Sequence, residues 1–328
     1  MRIAMIGAGA MGAMFGARFA RTGAEVVLYD IDADHIAAIS ANGLVVTDPD
    51  GEAISRLAAT TSPVEVGPVD CAVIMVDANA TEAVAVAIAP VLAPDAFILT
   101  LQNGIGNIEK LVAAFGKERV VAGCTYNSAA RQEPGKVLHS NIGETTIGEL
   151  DGSRTDRVAA IAGLFRECGL PIEVSDNVIG HIWMKFVLNA AINPVCAVTR
   201  LRPGEIIRVD PARRLLEGLL DEILAVVDAK GIQLPSPDAR AEILDHAWER
   251  YNRPSMLQHV EGGRRTEIGA LNGALLGEAA AVGIACPKNE AVVLTIRALE
   301  ARAVLRAETP ELDEAALEAE ARATPRPA

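Results

Sequence analysis

Arg2-Ile3-Ala4-Met5-Ile6-Gly7-Ala8-Gly9-Ala10-Met11-Gly12 opens the chain and decides its fold. The first five residues after Met1 read as a short buried strand. The glycines follow without a break and lead into a helical apolar pattern that includes Gly16. A strand, a GxGxxG turn and a helix in that order predict a phosphate-binding turn. Gly7 allows the tight turn, Gly9 lets a pyrophosphate approach the backbone, and Gly12 lets the helix pack closely on the strand. Ala10 and Met11 open the helix, and its N-terminal amides face the phosphates.

The context strengthens the motif. A second strand, Glu25-Val26-Val27-Leu28-Tyr29, ends in Asp30, roughly 20 residues beyond the turn, where a ribose-binding acid is expected. A carboxylate there accepts hydrogen bonds from both ribose hydroxyls of NAD and repels a 2′-phosphate. Ile31, Asp32, Ala33 and Asp34 supply no cation to hold such a phosphate. The residues therefore favour NAD(H). The competing role for Asp30 is to cap the helix beginning near Ala33, which Asp32 could do equally well.

The 328 residues suggest two domains. Half of them are apolar but only 3% are aromatic, so the interior is built mainly from Ala, Val, Leu and Ile. The five cysteines, Cys71, Cys124, Cys168, Cys196 and Cys286, show no CxxC pair or His cluster, which points to buried thiols in a reducing cytoplasm and to neither a metal site nor a disulfide framework. The apolar stretch 3–15 has some look of a secretory signal, but the glycine spacing explains it better. No later stretch offers about 20 uninterrupted apolar residues, so no membrane span is expected. A net charge of −13 argues against nucleic acid as a partner. It does not forbid a small anionic substrate in a locally cationic cleft.

Short apolar strands alternate with helical patterns through the first half, as in a parallel α/β sheet. Strands are expected at 69–76, 96–101 and 119–122, with helices at 34–41 and 81–92 and a third that follows the turn 102–106 and ends before Gly116. From Cys124 to Leu150, β-formers and glycines predict antiparallel strands that extend the sheet edge. A helix at 155–167 and a strand at 171–174 close the domain. Beyond Val178 the patterns are helical, with interruptions expected at Pro194, Pro203, Pro235, Pro237, Pro254 and Pro287. The fold class is thus α/β: a Rossmann-type dinucleotide-binding domain (1–176), an all-helical substrate or dimerisation domain (177–307), and an acidic, partly disordered tail (308–328).

A cofactor domain joined to a helical one implies a cleft between them. Lys185, Asn189 and Asn193 are spaced by four on an otherwise apolar helix and form one stripe. Lost hydration lowers a lysine's pKa and makes it a better proton donor near neutrality. The structural alternative is a snorkelling lysine, with Asn193 ending the helix before Pro194. A second segment runs from Asn252 through Ser255-Met256-Leu257-Gln258 to Thr266-Glu267-Ile268. Ser255 could simply be an N-cap. Glu267 adjoins an apolar face and needs a cationic partner, either Lys185 or, less informatively, Arg264 or Arg265.

The glycine turn, Asn103 in Leu101-Gln102-Asn103-Gly104, the Lys185/Asn189/Asn193 stripe and the segment from Ser255 to Ile268 together resemble the ketopantoate reductase family. The resemblance runs from residue 1 to about 300. It implies reduction of a 2-oxo acid, 2-dehydropantoate (ketopantoate), to pantoate with a nicotinamide cofactor, on the route to pantothenate and coenzyme A. It also implies roles: Lys185 as general acid, Glu267 orienting it or touching the substrate hydroxyl, and Asn103 positioning the nicotinamide and the lysine. Asn189, Asn193, Asn252 and Ser255 would grip the substrate. NADP(H) is the family norm, supported by a lysine where this chain has Asp77 and by a basic residue where it has Asp30. The family also includes NAD-dependent D-2-hydroxy acid dehydrogenases of the mandelate type, and a non-catalytic NAD-binding protein is the alternative from another class. A homodimer is compatible with all of these.

Overall fold

The computed structural model describes residues 1–49, 51–308 and 314–323. The first half contains β1 (Arg2–Ile6), α1 (Ala10–Ala20), β2 (Glu25–Tyr29), α2 (Ala33–Asn42), β3 (Leu44–Asp48), β4 (Gly51–Ser55), β5 (Ala58–Thr60), α3 (Pro63–Val66), β6 (Cys71–Ile74), α4 (Thr81–Ile88), β7 (Phe97–Thr100) and α5 (Asn107–Phe115). It continues with β8 (Val120–Thr125), β9 (Ser128–Glu133), β10 (Lys136–Asn141), β11 (Thr145–Glu149), α6 (Asp156–Glu167) and β12 (Ile172–Val174).

Eight of these strands form one sheet in the order β12-β11-β8-β7-β6-β1-β2-β5. All neighbours are parallel except β8 and β11. The apolar runs of β1, β6 and β7 explain their central place, since helices cover both faces and every residue of these strands but Arg2 is buried. From β1 the chain first builds outward through β2 and then returns to add β6 on the other side. The crevice at that switch, outside the carboxyl ends of β1 and β6, is where an open α/β sheet binds its ligand.

β3, β4 and β5 lie in a stretch for which the sequence reading named no strand. A further difference concerns residues 124–150. β11 does extend the main sheet, but β9 and β10 leave it and join β3 and β4 in a second sheet, ordered β4-β3-β10-β9. That sheet packs over α1. On its other flank α1 packs Phe15 and Phe19 against Phe165 of α6, tilted and edge-on, at centroid distances of 5.5 and 5.0 Å. The helix that carries the glycine turn is therefore clamped between two layers.

The sheet ends at Val174, and helices follow: α7 (Val178–Thr199), α8 (Pro203–Arg208), α9 (Asp210–Ala229), α10 (Ala239–Glu249), α11 (Ser255–Glu261), α12 (Ala274–Val282), α13 (Pro287–Glu308) and α14 (Glu314–Ala323). The tail expected at 308–328 lies partly outside the described residues. α7 is the central helix, packed against α9, α11 and α13. By length and mean hydropathy it could span a bilayer, but His181, Lys185, Asn189 and Asn193 interrupt its apolar run and 72% of its most apolar window is buried inside the protein. Cys168 also departs from expectation, being partly exposed while the other four thiols are buried.

Pro194 does not interrupt α7. Its missing N–H leaves the Ala190 carbonyl without its helical donor. Asn272 Nδ2, from the turn before α12, donates to that oxygen at 2.8 Å and to Asn289 Oδ1 at 2.8 Å. Asn289 donates to Glu222, which also accepts the Lys288 and Asn289 amides at the start of α13. A buried polar network thus supplies what the proline removed and ties α7 to α9, α12 and α13.

Candidate active site

The glycine turn sits as its motif requires. Gly7 has φ +93° and Gly7 N and Ala8 N both donate to Tyr29 O, so the turn is anchored on β2. A Cβ on Gly12 would lie 2.0 Å from Gly7 O, which only a glycine avoids. A Cβ on Gly9 would meet nothing within 4 Å. Close packing behind the turn and open space at Gly9, beside the N-terminal amides of Ala10 and Met11, which find no acceptor among the described residues, fit a dinucleotide pyrophosphate.

Asp32, not Asp30, caps α2 by accepting the His35 amide. Asp30, partly exposed, accepts the Asp32 amide at 3.0 Å, which orients its carboxylate at the end of β2. The structure also brings Arg131 of β9 to Asp32, at 2.5 Å. Sequence reasoning looked for a cation only among the residues following Asp30. Arg131 arrives from a strand about 100 residues away through the second sheet, and no local pattern marks it.

Lys185, Asn103 and Glu267 come together from three separate elements. Lys185 Nζ donates to Asn103 Oδ1 at 2.6 Å, and Asn103 Nδ2 approaches Glu267 Oε2 at 3.4 Å. Neither a direct Lys185 ion pair nor the Arg264 or Arg265 pairing is formed by Glu267 among the described residues; the Asn103 amide stands between acid and base. Gly104 makes this approach feasible, since a Cβ there would sit 2.5 Å from Ala270 O. The turn is shaped independently of the Asn103 side chain. Gln102 Nε2 donates to Val76 O and Thr81 Oγ1, both at 2.9 Å, and Asn107 Nδ2 holds Asn103 O at 3.0 Å.

Burial lowers the Lys185 pKa from its ordinary value, against the opposing pull of Glu267. Burial likewise raises Glu267, and the neighbouring Asp77 carboxylate adds to the rise, while Lys185 and Asn103 oppose it. The pair is thus moved toward neutrality from both sides, as acid–base work near neutral pH requires.

Asn189 is partly buried and Asn193 is 8% exposed on the same helix as Lys185. Neither side chain has a hydrogen-bond partner among the described residues, which leaves both amides available to a polar ligand. Asn252 and Ser255 are exposed, and no hydrogen bond joins them to Lys185, Asn103 or Glu267 among the described residues. Pro254 occupies the N-cap and Ser255 is the first residue of α11, so Ser255 is not the cap. α11, which Ser255 begins, packs on α7, the helix that carries Lys185. Tyr126, absent from the sequence reading, places its ring centroid 5.9 Å from Lys185 Nζ. Only the packing of α7 against the end of β8 reveals it.

The family described as ketopantoate reductase PanE/ApbA matches residues 3–152, and its C-terminal counterpart matches residues 177–321. The 2-dehydropantoate 2-reductase of Halobacterium salinarum is 32% identical over 288 residues, covering 88% of this chain and 95% of the relative. That of Pyrococcus horikoshii is 32% identical over 92% of this chain and 98% of its own length. Among solved structures, a PanE/ApbA family ketopantoate reductase from Ralstonia eutropha JMP134 superposes with a TM-score of 0.86 at 32% identity, over 92% of this chain and 99% of that one. A D-mandelate dehydrogenase, solved with NADH and anilino(oxo)acetate, gives a TM-score of 0.86 at 26% identity over 92% and 99% of the two chains. With both halves matched and the fold shared, the chain belongs to the ketopantoate reductase family.

Proposed function

We propose that this protein reduces 2-dehydropantoate to pantoate by hydride transfer from a nicotinamide cofactor, with Lys185 as the general acid. The observation that carries the reading is the Lys185–Asn103–Glu267 contact, a proton donor held by hydrogen bonding where the two halves of the chain meet. The division into a dinucleotide-binding domain (1–176) and a substrate domain (177–307) is part of the same reading, supported by the change from sheet to helices between Val174 and Val178.

Gly7, Gly9, Ala10, Met11 and Gly12 would hold the pyrophosphate, Asp30 the adenosine ribose, and Asn103 the nicotinamide side. When bound, the reduced nicotinamide supplies a hydride to the carbonyl carbon. Lys185 Nζ hydrogen-bonds the carbonyl oxygen and passes it a proton as negative charge develops there. A donor aimed at that oxygen stabilises the transition state more than the ground state. Asn103 fixes the ammonium, and Glu267 holds the far side of Asn103 and faces the substrate hydroxyl. Asn189, Asn193, Asn252 and Ser255 take the substrate's carboxylate and hydroxyl groups.

Asp30 favours NAD(H). The family norm, NADP(H), has its own support in Arg131, which lies one ion pair away on Asp32. The neighbouring D-mandelate dehydrogenase favours a second substrate reading, an NAD-dependent D-2-hydroxy acid dehydrogenase with the same acid. The five free cysteines suit a reducing cytoplasm.

The test is oxidation of NADH and of NADPH by the purified protein against 2-dehydropantoate and a panel of branched and aromatic 2-oxo acids. Turnover of 2-dehydropantoate is the expected result. Preference for another 2-oxo acid transfers the assignment to the dehydrogenase reading. Tight dinucleotide binding with no turnover of any 2-oxo acid would favour a non-catalytic binding protein.

A further inference from the structure

We propose that His35 is a positioning residue for the dinucleotide: its imidazole sets the orientation of the Ala8–Gly9 peptide and so aims the Gly9 N–H at the phosphates. The proposal rests on the reading of Gly7–Gly12 as the cofactor turn.

His35 lies in the first turn of α2 and is fully buried. Its Nε2 is 3.0 Å from Ala8 O, and Gly135 N donates to its Nδ1 at 3.0 Å. A backbone amide only donates and a carbonyl only accepts. The ring therefore carries its proton on Nε2 and a lone pair on Nδ1. A doubly protonated ring would set an N–H against the Gly135 N–H. Burial also holds the ring below the usual histidine range, and the Arg131 charge acts in the same direction.

The consequence for the turn follows from peptide geometry. In a trans, planar peptide the C=O and the following N–H point in opposite directions. Drawing the Ala8 carbonyl inward to His35 turns the Gly9 N–H the opposite way, and the turn is open at Gly9, where a Cβ would meet nothing within 4 Å. The Gly9 amide has no acceptor among the described residues, so it is free for a ligand. Gly7 N and Ala8 N are already committed to Tyr29 O. They fix the inner edge of the turn but leave the Ala8–Gly9 peptide plane to His35. The other end of the pin, Gly135, belongs to the β9–β10 hairpin, so the second sheet buttresses the phosphate-binding turn through one imidazole.

The experiment combines NADH fluorescence titration of the unmodified protein, His35→Phe and His35→Gln with steady-state kinetics and nitrogen NMR of the imidazole. Phe keeps ring volume without either hydrogen bond. It should weaken NADH binding by about tenfold or more and raise the cofactor KM more than it lowers kcat. Gln presents an acceptor and a donor on one amide and should recover most of the affinity. The NMR spectrum of the unmodified protein should show a neutral ring protonated on Nε2 at neutral pH. Unchanged NADH affinity in His35→Phe overturns the proposal, as does a Gln variant no better than Phe. An Nδ1-protonated or charged ring overturns it whether or not the Phe variant folds. An unmodified protein with the expected tautomer that binds neither dinucleotide refutes the cofactor reading, and the role of His35 with it.

Discussion

Replacing Asn103 by Ala isolates the contact on which the catalytic reading depends. The side chain accepts from Lys185 Nζ at 2.6 Å and reaches Glu267 at 3.4 Å, whereas Gln102 and Asn107 hold the turn. The variant should therefore fold normally and lose only the link between acid and carboxylate. A hydrogen bond to a charged group contributes about 1.5–3 kcal/mol. If that is expressed in the transition state, kcat falls roughly 10- to 150-fold, since about 1.4 kcal/mol is a factor of ten. The second lesion is weaker, because the 3.4 Å contact to Glu267 is long. Stopped-flow and steady-state oxidation of the reduced cofactor would measure the loss, with thermal unfolding as the control for folding. Asn103→Asp sharpens the test. A carboxylate keeps the acceptor beside Nζ and raises the lysine's pKa, so activity should be partly retained and the alkaline limit of the pH profile should move upward. An Asn103→Ala enzyme within twofold of the parent kcat would refute the reasoning. So would a loss confined to cofactor affinity, which would make Asn103 a cofactor ligand with no hold on the acid.

Lys185→Ala should remove most turnover while leaving NADH binding nearly intact, measured by single-turnover kinetics beside a fluorescence titration; near-normal turnover would exclude Lys185 as the acid. The pH profile carries an opposite sign in the two directions. Reduction needs the ammonium, so kcat/KM for the 2-oxo acid should fall as pH rises through a Lys185 pKa lowered by burial beneath its ordinary 10.5, whereas oxidation of the hydroxy acid, which needs the free amine, should rise through the same range. Rates that move in the same direction would contradict the assignment. Asn272→Ala should lower stability by roughly 2–4 kcal/mol in denaturant titration, because it strands two buried acceptors, Ala190 O and Asn289 Oδ1. Pro194→Ala in the same background should recover part of that loss by restoring the helical donor to Ala190; no recovery would separate the proline from the network.

Much of the fold was legible because its signals are local. The strand–glycine–helix run at residues 2–20, the apolar strands and the switch to helical periodicity near Val178 each declare themselves within a short window. The stripe of Lys185, Asn189 and Asn193 was legible for the same reason, since a spacing of four on a helix is geometry written in sequence. The failures are equally physical. Pro194 reads as a helix breaker, yet Asn272 arrives from about 80 residues away to satisfy the carbonyl it frees. β9 and β10 read as an extension of the main sheet, because alternation identifies a strand but not the strand it pairs with.

What the sequence by itself determined was the class of protein: a dinucleotide turn, an acid at the end of β2, a lysine and two asparagines on one helical face, and a glutamate bound to seek a partner. Only the tertiary structure decided who that partner is. Asn103, not an opposite charge, stands between Lys185 and Glu267, Tyr126 reaches Lys185 and Arg131 reaches Asp32 from elements remote in the chain, and His35 is tied at once to Ala8 and to Gly135. The reason is that backbone hydrogen bonding and hydrophobic periodicity are specified over a few residues. Polar contacts across a cleft depend on how whole layers pack, and spacing in the chain does not encode them.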